Sequence, residues 1–139
     1  MVEEAEIIWQ GMGKDALVAQ IRAYNDRNVS GALAVISWRI ANKNKKLDLS
    51  QTNLSHADLR GADLSSSDLS GTDMSNSMLE DADLKYAEVG GANLEDAKLL
   101  HAINLGFSTG NPANINQANT EFLYDSRKAI KTAIGNGCQ

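Results

Sequence analysis

Every fifth residue from Leu49 is large and aliphatic: Leu49, Leu54, Leu59, Leu64, Leu69, Met74, Leu79, Leu84, Val89, Leu94 and Leu99. Two places earlier in each unit stand Leu47, Thr52, Ala57, Ala62, Ser67, Thr72, Ser77, Ala82, Ala87, Ala92 and Ala97, all small after the first. Between these two series run Asp48, Asn53, Asp58, Asp63, Asp68, Asp73, Met78, Asp83, Glu88, Asn93 and Lys98, mostly acids or their amides. The fourth and fifth places are polar or Gly in nearly every unit. A fixed internal period of this kind governs the fold more than any local propensity.

Five matches neither regular period. Helical stripes recur at 3.6 residues and strand faces at 2. The small and large residues of one unit lie two apart, so they share a face of a short extended stretch. The polar pair that follows must then turn the chain. Repeated quarter-turns make a square coil with the third position inside and the second outside. Burying one leucine contributes roughly 1.5–3 kcal/mol, so the third-position series is expected to be the main stabilising core.

The pattern divides the chain into an N-terminal helical cap over 1–46, the repeat over 47–103, a loop insertion with a partial final coil over 104–122, and a C-terminal helix and tail over 123–139. Residues 16–24 follow Asp15 with helix-compatible, amphipathic spacing. Ala32 to Ala41 is apolar enough for either a helix or a strand. At Asn104 the frame fails, Gly106 to Pro112 reads as a loop, and Ala113 to Thr120 resumes the motif out of register. Thr120 to Ile134 carries a helical stripe that ends at Gly135. An open-ended coil exposes its core and its edges, and helices at the termini are expected to cover both.

Three units, Ala57-Asp58-Leu59-Arg60-Gly61, Ala62-Asp63-Leu64-Ser65-Ser66 and Ala92-Asn93-Leu94-Glu95-Asp96, resemble the pentapeptide-repeat family, whose motif is Ala-(Asp/Asn)-Leu-x-x. Met78, Lys98 and Val89 depart from it. The resemblance implies an all-β solenoid core with α-helical caps: a right-handed quadrilateral β-helix, the repeat-five-residue fold, of about three coils at twenty residues per coil. Residues twenty apart would then stack. Asp48, Asp68 and Glu88 would form one acid column and Asp63 and Asp83 another, together a candidate acidic interaction face. Stacked like charges cost stability. Either these acids serve local turn hydrogen bonds and solubility, or they meet a basic partner.

Charge follows the same division. Residues 1–46 carry seven bases against five acids, 47–103 three against eleven, and 104–139 three against two, within a total of −5. An acidic repeat body repels nucleic acid, so none is expected as a partner. No apolar run in the N-terminal part is long enough to span a bilayer, and the acidic start is unlike a secretory signal. The expectation is a cytoplasmic protein with no membrane partner.

Catalytic chemistry finds no purchase in the sequence. His56 and His101 fall on adjacent sides of the coil, and the single cysteine, Cys138, lies near the end of the chain. No phosphate-cradling glycine loop or metal-ligand spacing occurs, so no catalytic, cofactor or metal residue is expected. The expected function is a non-enzymatic scaffold that binds a protein partner through the coil faces or the terminal helices. A homodimer through the C-terminal helix is the alternative use of that helix. The resemblance also raises a DNA mimic acting on DNA gyrase. Three coils at roughly 4.8 Å each give a rod of about 15 Å, too short for that role.

Overall fold

The computed structural model describes residues 8–102. The expectations for 103–139, including the partial coil, the Thr120–Ile134 helix and Cys138, lie outside the described residues.

Helix α1 spans Lys14–Asp26 and buries Leu17 and Ile21, one turn apart, with Asp15 in its first turn where the helix dipole favours an anion. It ends in a Schellman motif. Asn28 takes a left-handed φ of 60°. Its N–H donates to Asn25 O at 2.9 Å and the Val29 N–H to Tyr24 O at 3.0 Å. Helix α2 spans Ala32–Ala41, which resolves the helix-or-strand ambiguity of that segment. It buries Ala34, Val35 and Trp38, and the Trp38 Nε1–H donates to Met12 O at 2.7 Å. Asn42, 4% exposed, ties the neighbouring turns together: its Oδ1 accepts from Gly11 N–H and its Nδ2 donates to Trp9 O and Trp38 O.

From Asp48 onward the chain lies against itself twenty residues later. Parallel bridges join Asp48 to Asp68, Asn53 to Asp73, Asp58 to Met78, Asp63 to Asp83, Asp68 to Glu88, Asp73 to Asn93 and Met78 to Lys98. Each unit makes three backbone bonds to a neighbouring level. The third-position N–H, as in Leu59 to Met78 O at 2.8 Å, and the fifth-position N–H, as in Gly61 to Glu80 O at 2.9 Å, donate to the level after. The second-position N–H, as in Met78 to Ala57 O at 2.9 Å, donates to the level before. Nearly every third-position side chain and every Ala or Ser of the first position is at most 1% exposed. The buried hydroxyls donate to main-chain carbonyls: Ser67 and Ser77 each to the carbonyl three residues back, at 2.6 Å, and Thr72 to Leu49 O on the preceding level at 2.8 Å.

The all-β class does not hold. Among the described residues there is no β-strand, because every parallel pairing is a bridge one residue long on each side. With no strand there is no sheet. The right-handed quadrilateral β-helix, as an all-β solenoid, therefore gives way to two helices resting on levels made of turns and single bridges. The reason is the turn. From Ala57 on, the N–H of the first position donates back to the preceding third-position carbonyl, as in Ala57 to Leu54 O at 3.1 Å. The fifth residue between them is left-handed at every corner: Gln51, His56, Gly61, Ser66, Gly71, Asn76, Asp81, Tyr86, Gly91, Asp96 and His101 have φ between 56° and 75°. Positive φ at the third residue of a turn is the type II signature. So tight a succession leaves too little extended chain for a strand, which usually needs at least about three residues.

A substitution at one corner tests this. Gly61 has φ +75°, and a Cβ there would meet nothing within 4 Å. Gly61→Val should therefore cost about 1–2 kcal/mol through backbone strain alone, read as a lower urea midpoint at unchanged m-value.

Candidate interaction surface

The outward surface of the repeat is built from the second, fourth and fifth positions. Aspartates at the second position fold back onto their own turns. Asp48 Oδ1 accepts from Ser50 N–H at 2.9 Å and from Ser50 Oγ at 2.6 Å. Asp68 binds Ser70 in the same way at 3.0 and 2.6 Å, and Asp63 binds Ser65 at 3.1 and 2.5 Å. Asp83 Oδ1 accepts from Lys85 N–H at 3.0 Å. These are Asx turns, the local role of such residues. The Ser50 hydroxyl, then its N–H, hold the Asp48 carboxyl below the ordinary range.

The bridges place Asp48, Asp68 and Glu88 in one column and Asp63 beside Asp83. Cations from the N-terminal part meet these columns. Lys46 pairs with Glu88, and that contact raises the lysine pKa. Arg39 Nε lies 3.7 Å from Asp63 Oδ2. The acid columns thus make turn hydrogen bonds and internal ion pairs.

A set of residues that sequence reasoning missed covers the open edge of the first level. Carbonyls at the second and fourth positions accept from the preceding level everywhere except in 48–65, where no earlier level exists. Groups from α1, α2 and their connection take its place. Lys14 Nζ donates to Ser50 O at 2.8 Å, Arg22 Nη2 to Asn53 O at 2.8 Å, and Ser30 Oγ to Arg60 O at 2.7 Å. Arg39 donates to Asp63 O and Ser65 O at 3.3 and 2.9 Å. The Gly31 N–H donates to Asp58 O at 2.7 Å. Asn25 acts as a substitute backbone: Oδ1 accepts from Asp58 N–H at 2.8 Å and Nδ2 donates to Asp58 O at 3.0 Å. A buried edge left without such partners would cost the desolvation of each group.

Asp58 itself is 7% exposed and is held by Arg60, with Nε–Oδ1 at 2.9 Å and Nη2–Oδ2 at 2.7 Å. That hydrogen bonding is the main cause of its lowered pKa. An unfolded aspartate titrates near about 3.9, so the stabilisation is full above that value and is lost as pH falls through the lower folded value. Urea midpoints should drop below about pH 4, and Asp58→Asn should flatten that drop.

Chemistry does not converge anywhere in this part of the chain. His56 shares a side with Asn53 and Asn76, while His101 sits 3.6 Å from Asp81 on the next. Among the described residues no group of three or more His, Cys, Asp or Glu could hold a metal ion, and no helix is long and apolar enough to cross a membrane. An open cleft of about 270 Å³ between α1, α2 and the first level has walls of Met12, Leu17, Trp38 and Leu47. The ammonium groups at its rim are engaged, Lys14 by Ser50 and Lys46 by Glu88. On the outer side of α2, Leu33, Ile36 and Ile40 are 53%, 39% and 51% exposed.

A family model described as pentapeptide repeats matches residues 47–81, in 8 copies. The bridged register continues beyond the match, to Lys98. Comparison with curated proteins gives no match.

Proposed function

For this chain, a pentapeptide-repeat protein through residues 47–81, we propose a non-enzymatic scaffold that binds a protein partner through the faces of the repeat or the terminal helices. The observation that carries this reading is the filled interior. Third-position side chains from Leu49 to Leu99 are at most 1% exposed, which leaves the repeat no internal cavity in which a reaction could be enclosed. What the repeat offers instead is a set of polar outer faces, each fixed by Asx turns to a backbone braced by cross-level bonds. Rigid presentation lowers the ordering cost of association. The exposed Leu33, Ile36 and Ile40 add an apolar stripe of the kind partner helices use.

The test is affinity capture from cells at low salt with the full chain as bait. A stoichiometric protein partner is expected, lost on Leu33→Asp/Ile40→Asp or on charge reversal of a repeat face. No stoichiometric partner at any salt concentration would contradict the scaffold reading.

A further inference from the structure

In a repeat whose second position is otherwise Asp, Asn or Glu, the two departures, Met78 and Lys98, occupy one column and bridge each other. The large apolar residue at a fourth position, Leu100, lies on the same side, paired with Glu80 through the Asp81 N–H to Leu100 O bond at 3.1 Å. Met78 and Glu80 are two apart on one outward edge, as are Lys98 and Leu100, so the four form a two-by-two patch. Its diagonals differ in chemistry. Met78 and Leu100, the latter 37% exposed, make one, and Lys98 and Glu80 make the other. The Asx turn is given up at both departures, so turn-making does not account for them. Among the described residues no ion pair involves Lys98.

We propose that this patch joins two copies of the chain about a two-fold axis running along its apolar diagonal. The charge pattern selects that axis. A two-fold lying in a flat interface maps each point to its mirror position across the axis. An axis running along a level would set Met78 against Lys98 and Glu80 against Leu100. An axis running across the levels would set Met78 against Glu80 and Leu100 against Lys98. The second diagonal would set lysine on lysine and glutamate on glutamate. Only the Met78–Leu100 diagonal places Met78 on its twin, Leu100 on its twin, and Lys98 opposite Glu80 twice. Asp81, 71% exposed at its side chain, falls on the glutamate side and adds to the attraction for the second copy's lysine. Four outer side chains cover far less than the ~800 Å² per partner of a stable complex, so the dimer is a weak one.

This inference deepens the scaffold reading by naming a second copy as the occupant of one repeat face. A chain that stays monomeric yet still captures a different protein would sink the inference and leave that reading intact. The experiment is sedimentation equilibrium of the full chain, from micromolar to millimolar concentration. The parent should show a reversible monomer–dimer equilibrium. Lys98→Glu and Glu80→Lys should each raise the dissociation constant by at least about tenfold. The double variant should restore the parent value, and a mixture of the two single variants should form a mixed dimer. All these residues are exposed or half-exposed, and circular dichroism melts check that the variants fold. A monomer throughout the concentration range, or a dimer indifferent to both reversals, would overturn the proposal.

Discussion

Leu79→Asp should abolish the cooperative unfolding transition and leave a chain without the parent's circular dichroism. Leu79 is fully buried on the second level, bridged by its backbone to Lys98 O above and flanked by Leu59 and Leu99 at the same position of the adjoining levels. The substitution removes an aliphatic side chain, a loss of about 2–5 kcal/mol for truncation alone. It then asks a carboxyl to sit where no donor is within reach, which adds several kcal/mol more or forces protonation. A domain stable by only about 5–15 kcal/mol does not survive that sum. Asp68→Ser is the matched control. Asp68 projects outward between Asp48 and Glu88, so its loss relieves two like-charge contacts and removes the two hydrogen bonds from Ser70. Its midpoint should stay within about 0.5 kcal/mol of the parent.

Asn25→Ala should destabilise by about 1–3 kcal/mol, more than a helix-surface substitution to the best helix former would otherwise do. Among the described residues the amide of Asn25 is the only group that accepts the Asp58 N–H. It also shares Asp58 O with Gly31 and supports the α1 terminus through Val29 O at 3.0 Å. Alanine leaves a backbone donor unpaired at the closed edge of the first level. Asn25→Asp keeps the acceptor for that N–H but turns a second oxygen toward Asp58 O, so it should not rescue. Thermal melts of the two variants beside an exposed control such as Arg27→Ala separate loss of the edge bond from loss of helix propensity. Equal melting temperatures for Asn25→Ala and the control would show that the edge is satisfied in some other way.

The five-residue period was readable because it needs only side-chain size. Leu59, Leu64 and Leu69 recur in frame with Ala57, Ala62 and Ser67, and no other element class places aliphatics at that spacing. What the period could not report was how little of each unit is extended. The corners carry that information, and their signal was diluted. Gly61, Gly71 and Gly91, with Asn76, Asp81 and Asp96, are residues that tolerate a left-handed φ, but Gln51, Ser66 and Tyr86 occupy the same conformation. Reading every corner as left-handed would have shortened the strands to single bridges and removed the all-β expectation. The helix over Ala32–Ala41 was ambiguous for a related reason. Its apolar residues occur on both sides, and what decides is Trp38 reaching Met12 O, a contact 26 residues away in sequence.

The surface was less legible still. The sequence left the stacked acids two uses, turns or a basic partner, and could not report that one oxygen each of Asp48, Asp63 and Asp68 accepts from Ser50, Ser65 and Ser70. Asn25, Ser30 and Gly31 look like ordinary helix-end residues, and their work depends on which level of the repeat comes first. Gly31 fits because a Cβ there would lie 2.6 Å from Ile21 Cγ2 and 3.1 Å from Asp58 O. Met78 and Lys98 were visible only as departures from a motif. Their meeting in one column is set by the twenty-residue register, which the structure supplies through the bridge between them.

Beneath the proposals lies one structural claim, that the backbone pairs with itself twenty residues on and keeps the third-position side chains dry. Nuclear Overhauser contacts on the isotopically labelled full chain test it directly. Cross-peaks should link Asn53 to Asp73, Asp73 to Asn93, and Met78 to both Asp58 and Lys98, with slow amide exchange at Leu59 and Leu79. Helical contacts three and four residues apart running through 50–100, with fast exchange at those leucines, would contradict it.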